Sequence, residues 1–144
     1  MNIFFLNRDP KKAAVVQYNK HVVKMILESA QMLCTAHHAY NNGHNVPYKK
    51  AHLNHPSTVW VRQNSRHYYW LFDHMIALGN EYTKRYGKTH LSITKCFDSS
   101  ISLLILENLR NVCLMSIRLK EIALQLIGII MKMKSTQSRA LASN

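Results

Sequence analysis

A chain of 144 residues with 47% apolar and 18% charged content is one globular domain that buries roughly two thirds of its unfolded surface, which excludes a disordered basic tail. Nineteen Lys and Arg against seven Asp and Glu give a formal charge of +12, and that much self-repulsion implies a polyanionic partner, nucleic acid before a membrane surface. Three cysteines (Cys34, Cys96, Cys113) with no CxxC spacing suggest reduced thiols and exclude a disulfide framework or thiolate zinc site.

The elements follow in chain order. IFFL (residues 3–6) is too short for a helix, a signal peptide or a membrane span and reads as an extended segment on the core. Asp9 followed by Pro10 reads as N-cap and first helical position. From Pro10 to His38 no Gly or Pro interrupts, so a single long helix is expected. Projected at 3.6 residues per turn, its second half is apolar over most of its circumference. What remains is a narrow polar stripe: His21, Lys24, Glu28, Gln31 and Thr35.

Residues 40–54, rich in Asn, Gly, Pro and His, read as a loop that turns at Asn41-Asn42-Gly43 and carries Lys49 and Lys50. Asn54-His55-Pro56 opens another helix. Ser65 is expected to cap a further one that runs to Tyr86 and ends at Gly87. On that helix, Asp73 and Glu81 are expected to face basic neighbours such as Arg62 and Lys84. After Phe97 the composition changes: residues 98–144 contain no aromatic residue, Pro or His, although thirteen aromatics and nine histidines precede them. The chain therefore divides into a helical domain over residues 1–97 and an atypical apolar and basic segment over 98–144, helical or poorly ordered. The fold class expected is all-α: one compact helical domain with a short extended N-terminal segment.

Glu28 is one of few carboxylates in a basic chain, inside an otherwise apolar run. An i,i+4 pair with Lys24 worth about 0.3–0.5 kcal/mol accounts for it blandly. The sharper reading is acid–base chemistry, because a carboxylate beside a phosphate-binding groove is otherwise repulsive there. A nucleophile would then have to lie nearby. An α-amino group, with a reference pKa of about 7.7–8.0 against about 10.4 for a lysine, is the better imine-forming amine near neutral pH. Histidine pairs such as His52 with His55 and His37 with His38 lack a carboxylate or thiolate at ligand spacing, so no metal site is read.

The stretches MNIFFLNRDPKKAA, KHVVKMILESAQML, HPSTVWVRQ, RHYYWL and EYTKRYGKTH resemble a group of phage-type proteins similar to the pyrimidine-dimer DNA glycosylases with abasic-site lyase activity. The resemblance covers residues 1–97. It implies a compact all-α domain in which the N-terminal amine, of Met1 or of Asn2 after processing, attacks the sugar of a damaged nucleotide. Glu28 would be the acid–base group, and His21, seven residues before it, belongs to the same pattern. Asn2 is large for removal of the initiator Met, and Leu27 and Gln31 stand where the family has basic residues. Lys24, Gln31, Lys49, Lys50, Arg62 and Arg66 are then expected to border a cleft for double-stranded DNA, with Trp60, Tyr68 or Tyr69 filling or stacking in the gap left by an extruded base. No cofactor, metal or membrane is expected from the residues, no obligate protein partner is evident, and the chain reads as cytoplasmic; the resemblance adds an infected bacterial host as its setting.

The family continues with a stretch resembling Pro-Gln-Cys-Met-Pro-Asp-Glu-Tyr-Lys, absent here. Codons for residues 109–118 (LRNVCLMSIR) can nevertheless be chosen so that a shifted frame reads that stretch. This suggests a frameshift near residues 95–105, and codons in the coding DNA incompatible with the shifted reading would refute it. The reading from another class is a noncatalytic basic helical protein that holds nucleic acid by phosphate contacts, strongly salt-dependent and indifferent to Glu28→Gln.

Overall fold

The computed structural model describes residues 1–40, 43 and 45–98, and the fold they form is all-α. The Asn41-Asn42 turn and nearly all of the 98–144 segment, with Cys113 and the suggested frameshift, lie outside the described residues. Five helices follow in order: α1 (Pro10–Val15), α2 (Asn19–Ala39), α3 (Pro56–Gln63), α4 (Ser65–Tyr86) and α5 (Leu91–Asp98).

The helix ends follow local chemistry. Asp9 caps α1, its Oδ1 accepting from the backbone N–H groups of Lys11 (2.8 Å) and Lys12 (3.4 Å), with Pro10 at the first helical position. His55 Nδ1 accepts from Ser57 N–H at 3.2 Å to cap α3. The cap of α4 is Asn64, one residue before the Ser65 expected, because its Oδ1 accepts from His67 N–H at 2.9 Å. Gly87 ends α4 in the left-handed region at φ 70, where its N–H reaches Thr83 O at 2.8 Å.

One expectation is corrected. The helix expected over residues 10–38 is two helices, broken at Val16, Gln17 and Tyr18. The break is imposed from α4. Arg85 donates to Val15 O (3.0 Å) and Gln17 O (2.9 Å), two backbone carbonyls that a continuous helix would use internally, and to the Asn19 side-chain Oδ1 (2.8 Å). Its Nε also donates to Glu81 Oε1 at 2.7 Å, so Glu81 pairs with Arg85 rather than with Lys84 or Arg62. The guanidinium fork makes all four contacts at once. Arg85→Met is therefore expected to cost about 2–3 kcal/mol in chemical denaturation, and Arg85→Lys to recover only part of it.

The core forms where α4 crosses α1 and α2, with α3 against both long helices and α5 against α2. Ile26, Met32, Leu33, Leu71, Met75 and Leu78 fill it, all fully buried. A fully buried imidazole lies within it. His74, 1% exposed, has Nδ1 at 2.9 Å from Pro10 O, so that nitrogen carries the proton, and Nε2 accepts from Gln17 Nε2 at 3.0 Å. Burial pushes its pKa below the ordinary histidine value, against the opposing pull of the Pro10 carbonyl. The unfolded chain thus takes up this proton first as pH falls. Stability from His74 is complete above about pH 6.5 and declines below it, and His90, lowered by burial as well, acts in the same direction. Thermal melts are expected to show a lower Tm near pH 5 than near pH 7.5, with a shallower slope in His74→Gln.

Candidate active site

The extended segment over residues 3–6 is held on both sides by rings. Phe4 stacks on His21 of α2 (centroids 4.5 Å, interplanar 19°), and Phe5 lies against Trp70 of α4 at 4.5 Å and Trp60 of α3 at 6.4 Å. Trp70 Nε1 donates to Arg8 O at 2.8 Å, fixing the far end of the segment before α1 begins. Such ring pairs contribute about 0.5–1.5 kcal/mol each beyond their burial. Three rings and one hydrogen bond thus set where the first two residues lie.

They lie on Glu28. The Asn2 backbone N–H donates to Glu28 Oε2 at 2.7 Å, and the Met1 α-amine is 3.8 Å from the same oxygen. Lys24 Nζ stands 3.5 Å from the other oxygen, Oε1. The Met1 side chain is 2% exposed and that of Glu28 12%, whereas that of Lys24 is 70% exposed. One carboxylate therefore gathers two amines, one at the chain terminus, beside a buried Met1 side chain, and a solvated one on its own helix. The Asn2 side chain turns back to accept from Ile3 N–H at 2.8 Å and so does not compete for Glu28.

This arrangement has a definite chemical capacity. A carboxylate at ion-pair distance from an α-ammonium can accept its proton, leaving a nucleophilic amine beside a general acid–base group. A carbonyl carbon held there would be open to imine formation. Partial enclosure strengthens each of these interactions relative to water.

The polar stripe divides into parts with different tasks. His21 props the N-terminal segment through Phe4 instead of meeting Glu28. Lys24 and Glu28 form the amine and carboxylate group, with Gln31 half-buried one turn further on. Thr35 is buried and pins the loop before α3: its Oγ1 donates to Gln31 O (2.8 Å) and accepts from Ala51 N–H (3.1 Å).

The remaining sequence-expected residues are spread around this point. Lys49 and Lys50 are exposed on the loop that Thr35 anchors, and Arg66 is exposed in the first turn of α4. Arg62 of α3 donates through Nη1 to Leu53 O, while its own carbonyl accepts from the Tyr40 hydroxyl at 2.6 Å. Trp60 is covered on one face by His67 (4.1 Å, 10°). Tyr68 hydrogen-bonds His37 Nε2 at 2.7 Å and meets Tyr69 edge-on, and burial raises its pKa. Arg62 and Tyr68 thus hold positions within the fold.

Sequence reasoning missed the Phe4–His21 stack, the Phe5–Trp70 contact and the Trp70 bond to Arg8. An aromatic pair at positions 4 and 5 facing opposite ways is the signal that could have found them. His37, His38 and His55 have local partners: His38 Nε2 bonds Tyr48 O at 3.0 Å, beside the His37 and His55 contacts above. Among the described residues no group of three or more His, Cys, Asp and Glu could hold a metal ion, and no described helix is long and apolar enough to cross a membrane. No protein-family model, curated protein or solved structure matches the chain.

Proposed function

We propose that the chain is a DNA repair enzyme, an N-glycosylase with abasic-site lyase activity on damaged pyrimidines, working through an imine with its N-terminal amine. The observation that carries this reading is the convergence of the Met1 amine and the Asn2 nitrogen on Glu28 Oε2. The charge of +12 and the likeness of residues 1–97 to phage-type relatives of the pyrimidine-dimer glycosylases support duplex DNA as the substrate.

In the reaction, Glu28 takes a proton from the terminal ammonium and the freed amine attacks C1′ of the damaged nucleotide, displacing the base. Loss of the ring oxygen from that carbon, assisted by proton transfer, leaves an imine. Glu28 next removes a proton from C2′, and the C–H electron pair forms the double bond that expels the 3′ phosphate. Lys24 supplies a positive charge at the opposite carboxylate oxygen. Lys49, Lys50 and Arg66 supply the salt-sensitive phosphate contacts, each lowering the slope of log K against log salt by about one when neutralised.

Asn2 N is closer to Glu28 than Met1 N is, so a chain starting at Asn2 would place its α-amine at the 2.7 Å position. Such a form is expected to react faster than one that keeps Met1. The reading is tested by borohydride trapping on duplex DNA carrying an abasic site. A covalent adduct that disappears when the terminal amine is blocked is expected. Salt-sensitive binding with no adduct would instead fit a noncatalytic nucleic-acid-binding protein.

A further inference from the structure

Between the terminal amine and α1 the chain bends once. Leu6 N–H donates to Phe4 O at 2.9 Å and closes a three-residue turn with Phe5 at its centre. The tip carries two large apolar side chains in contact with solvent: Phe5 is 53% and Leu6 54% exposed. It is held firmly all the same. The Phe5 ring rests on Trp70, Trp70 in turn stacks on the buried His74 ring (4.9 Å, 26°), and beyond the tip Asn7 Oδ1 accepts from Asp9 N–H at 2.9 Å. A chain spans at most about 3.6 Å per residue, so Phe5 lies within about 11 Å of the Asn2 nitrogen that meets Glu28. Exposed Arg8, Lys11 and Lys12 follow the tip, and the Asp9 carboxylate among them is engaged by backbone N–H groups. Trp60, by contrast, is covered on one face by His67, and the Tyr68 hydroxyl is bound to His37.

We propose that Phe5, with Leu6 beside it, is a wedge that enters the base stack of duplex DNA where a base is missing or extruded; this rests on the reading of duplex DNA as the substrate. The charge pattern selects that occupant. Cations directly after an apolar tip suit the phosphates on either side of an opened base step, whereas an apolar protein surface would leave them unpaired. Apolar side chains set between bases gain stacking area that water does not offer, and the ring backed by Trp70 enters without having to be ordered first. At an intact step this gain is offset by the work of unstacking. At a gap that work is already done, so the tip favours damaged positions over paired duplex. With the ring seated there, the sugar at the gap lies within reach of the amine three or four residues away. Phe5 is thus a positioning residue, and Glu28 and the amine remain the reacting groups.

The test uses the full chain and a duplex with 2-aminopurine opposite a tetrahydrofuran abasic analogue, which has no C1′ hydroxyl and so forms no imine. Binding is expected to brighten the 2-aminopurine, because a ring in the gap displaces the base opposite. Phe5→Ala should lose that signal and weaken binding to this duplex about 5–100-fold, with the slope of log K against log salt unchanged. Phe5→Tyr, which keeps the ring, should restore both. Arg8→Ala should instead lower the salt slope by about one. No brightening with the parent chain, equal brightening with Phe5→Ala, or a loss in Phe5→Ala that is as large on fully paired duplex would overturn the wedge. Borohydride trapping at an authentic abasic site, run alongside, keeps the two readings separate. A signal that depends on Phe5 without a trapped adduct would retain the wedge and overturn the lyase chemistry, and an adduct without the signal would do the reverse.

Discussion

Glu28→Gln is expected to lower the single-turnover rate of imine formation and strand cleavage on abasic duplex DNA by about 10²–10⁴-fold, the range that general acid–base groups contribute. The substitution keeps the side-chain volume and an oxygen able to accept from Asn2 N–H, so the N-terminal segment should stay in place. On the proposed mechanism, what is lost is the ability to take the proton from the ammonium and then from C2′. Affinity for duplex DNA should be unchanged or slightly tighter, because removing a negative charge from a basic face favours phosphate. A Glu28→Gln protein that cleaves at the parent rate would return Glu28 to the bland role of a helix-edge partner for Lys24, 3.5 Å away.

Ile26→Ala is the complementary experiment on the same helix. Ile26 is two residues from Glu28, about 200° around α2, and fully buried where α4 crosses. Deleting its branched side chain should cost about 2–5 kcal/mol, through lost transfer energy and the cavity left behind. For a domain of this size that is a fall in Tm of about 10–30 °C. Measured well below its melting point, the variant should still form the borohydride adduct, since Glu28 and the terminus occupy the opposite face. The pair of substitutions thus separates the stability face of α2 from its chemical face: Glu28→Gln lowers the rate and leaves the Tm nearly unchanged, and Ile26→Ala does the reverse.

Local signals in the sequence carried those parts of the fold whose causes are local. Asp9 before Pro10 marks the start of α1, Pro56 the start of α3, and Gly87 the end of α4, because each acts on backbone groups within a few residues of itself. The break between α1 and α2 has its cause in Arg85, nearly 70 residues further on. No periodicity or propensity near Val16 announces a guanidinium arriving from another helix. Glu81 was misassigned for a related reason: Lys84 and Arg85 are both within reach along α4, and the contacts of Arg85 with the α1–α2 junction decide between them.

The candidate site divides in the same way. Glu28, Lys24 and His21 share a face at three- and four-residue spacing, so their alignment was readable from residue numbers alone. That Phe4 would stack on His21, and so carry Asn2 to 2.7 Å from Glu28, depends on a tertiary contact the one-dimensional pattern does not encode. Thr35 continues the stripe by spacing, yet it is buried against Ala51, because the loop before α3 folds over that end of α2.

The most direct test of the central claim is to digest the borohydride-reduced DNA adduct and locate the modified nitrogen by mass spectrometry. The adduct is expected on the N-terminal peptide, at the α-amine of Met1 or of Asn2 if Met1 has been removed. An adduct on the Lys24 peptide, or no adduct from a folded chain that binds the duplex, would contradict it.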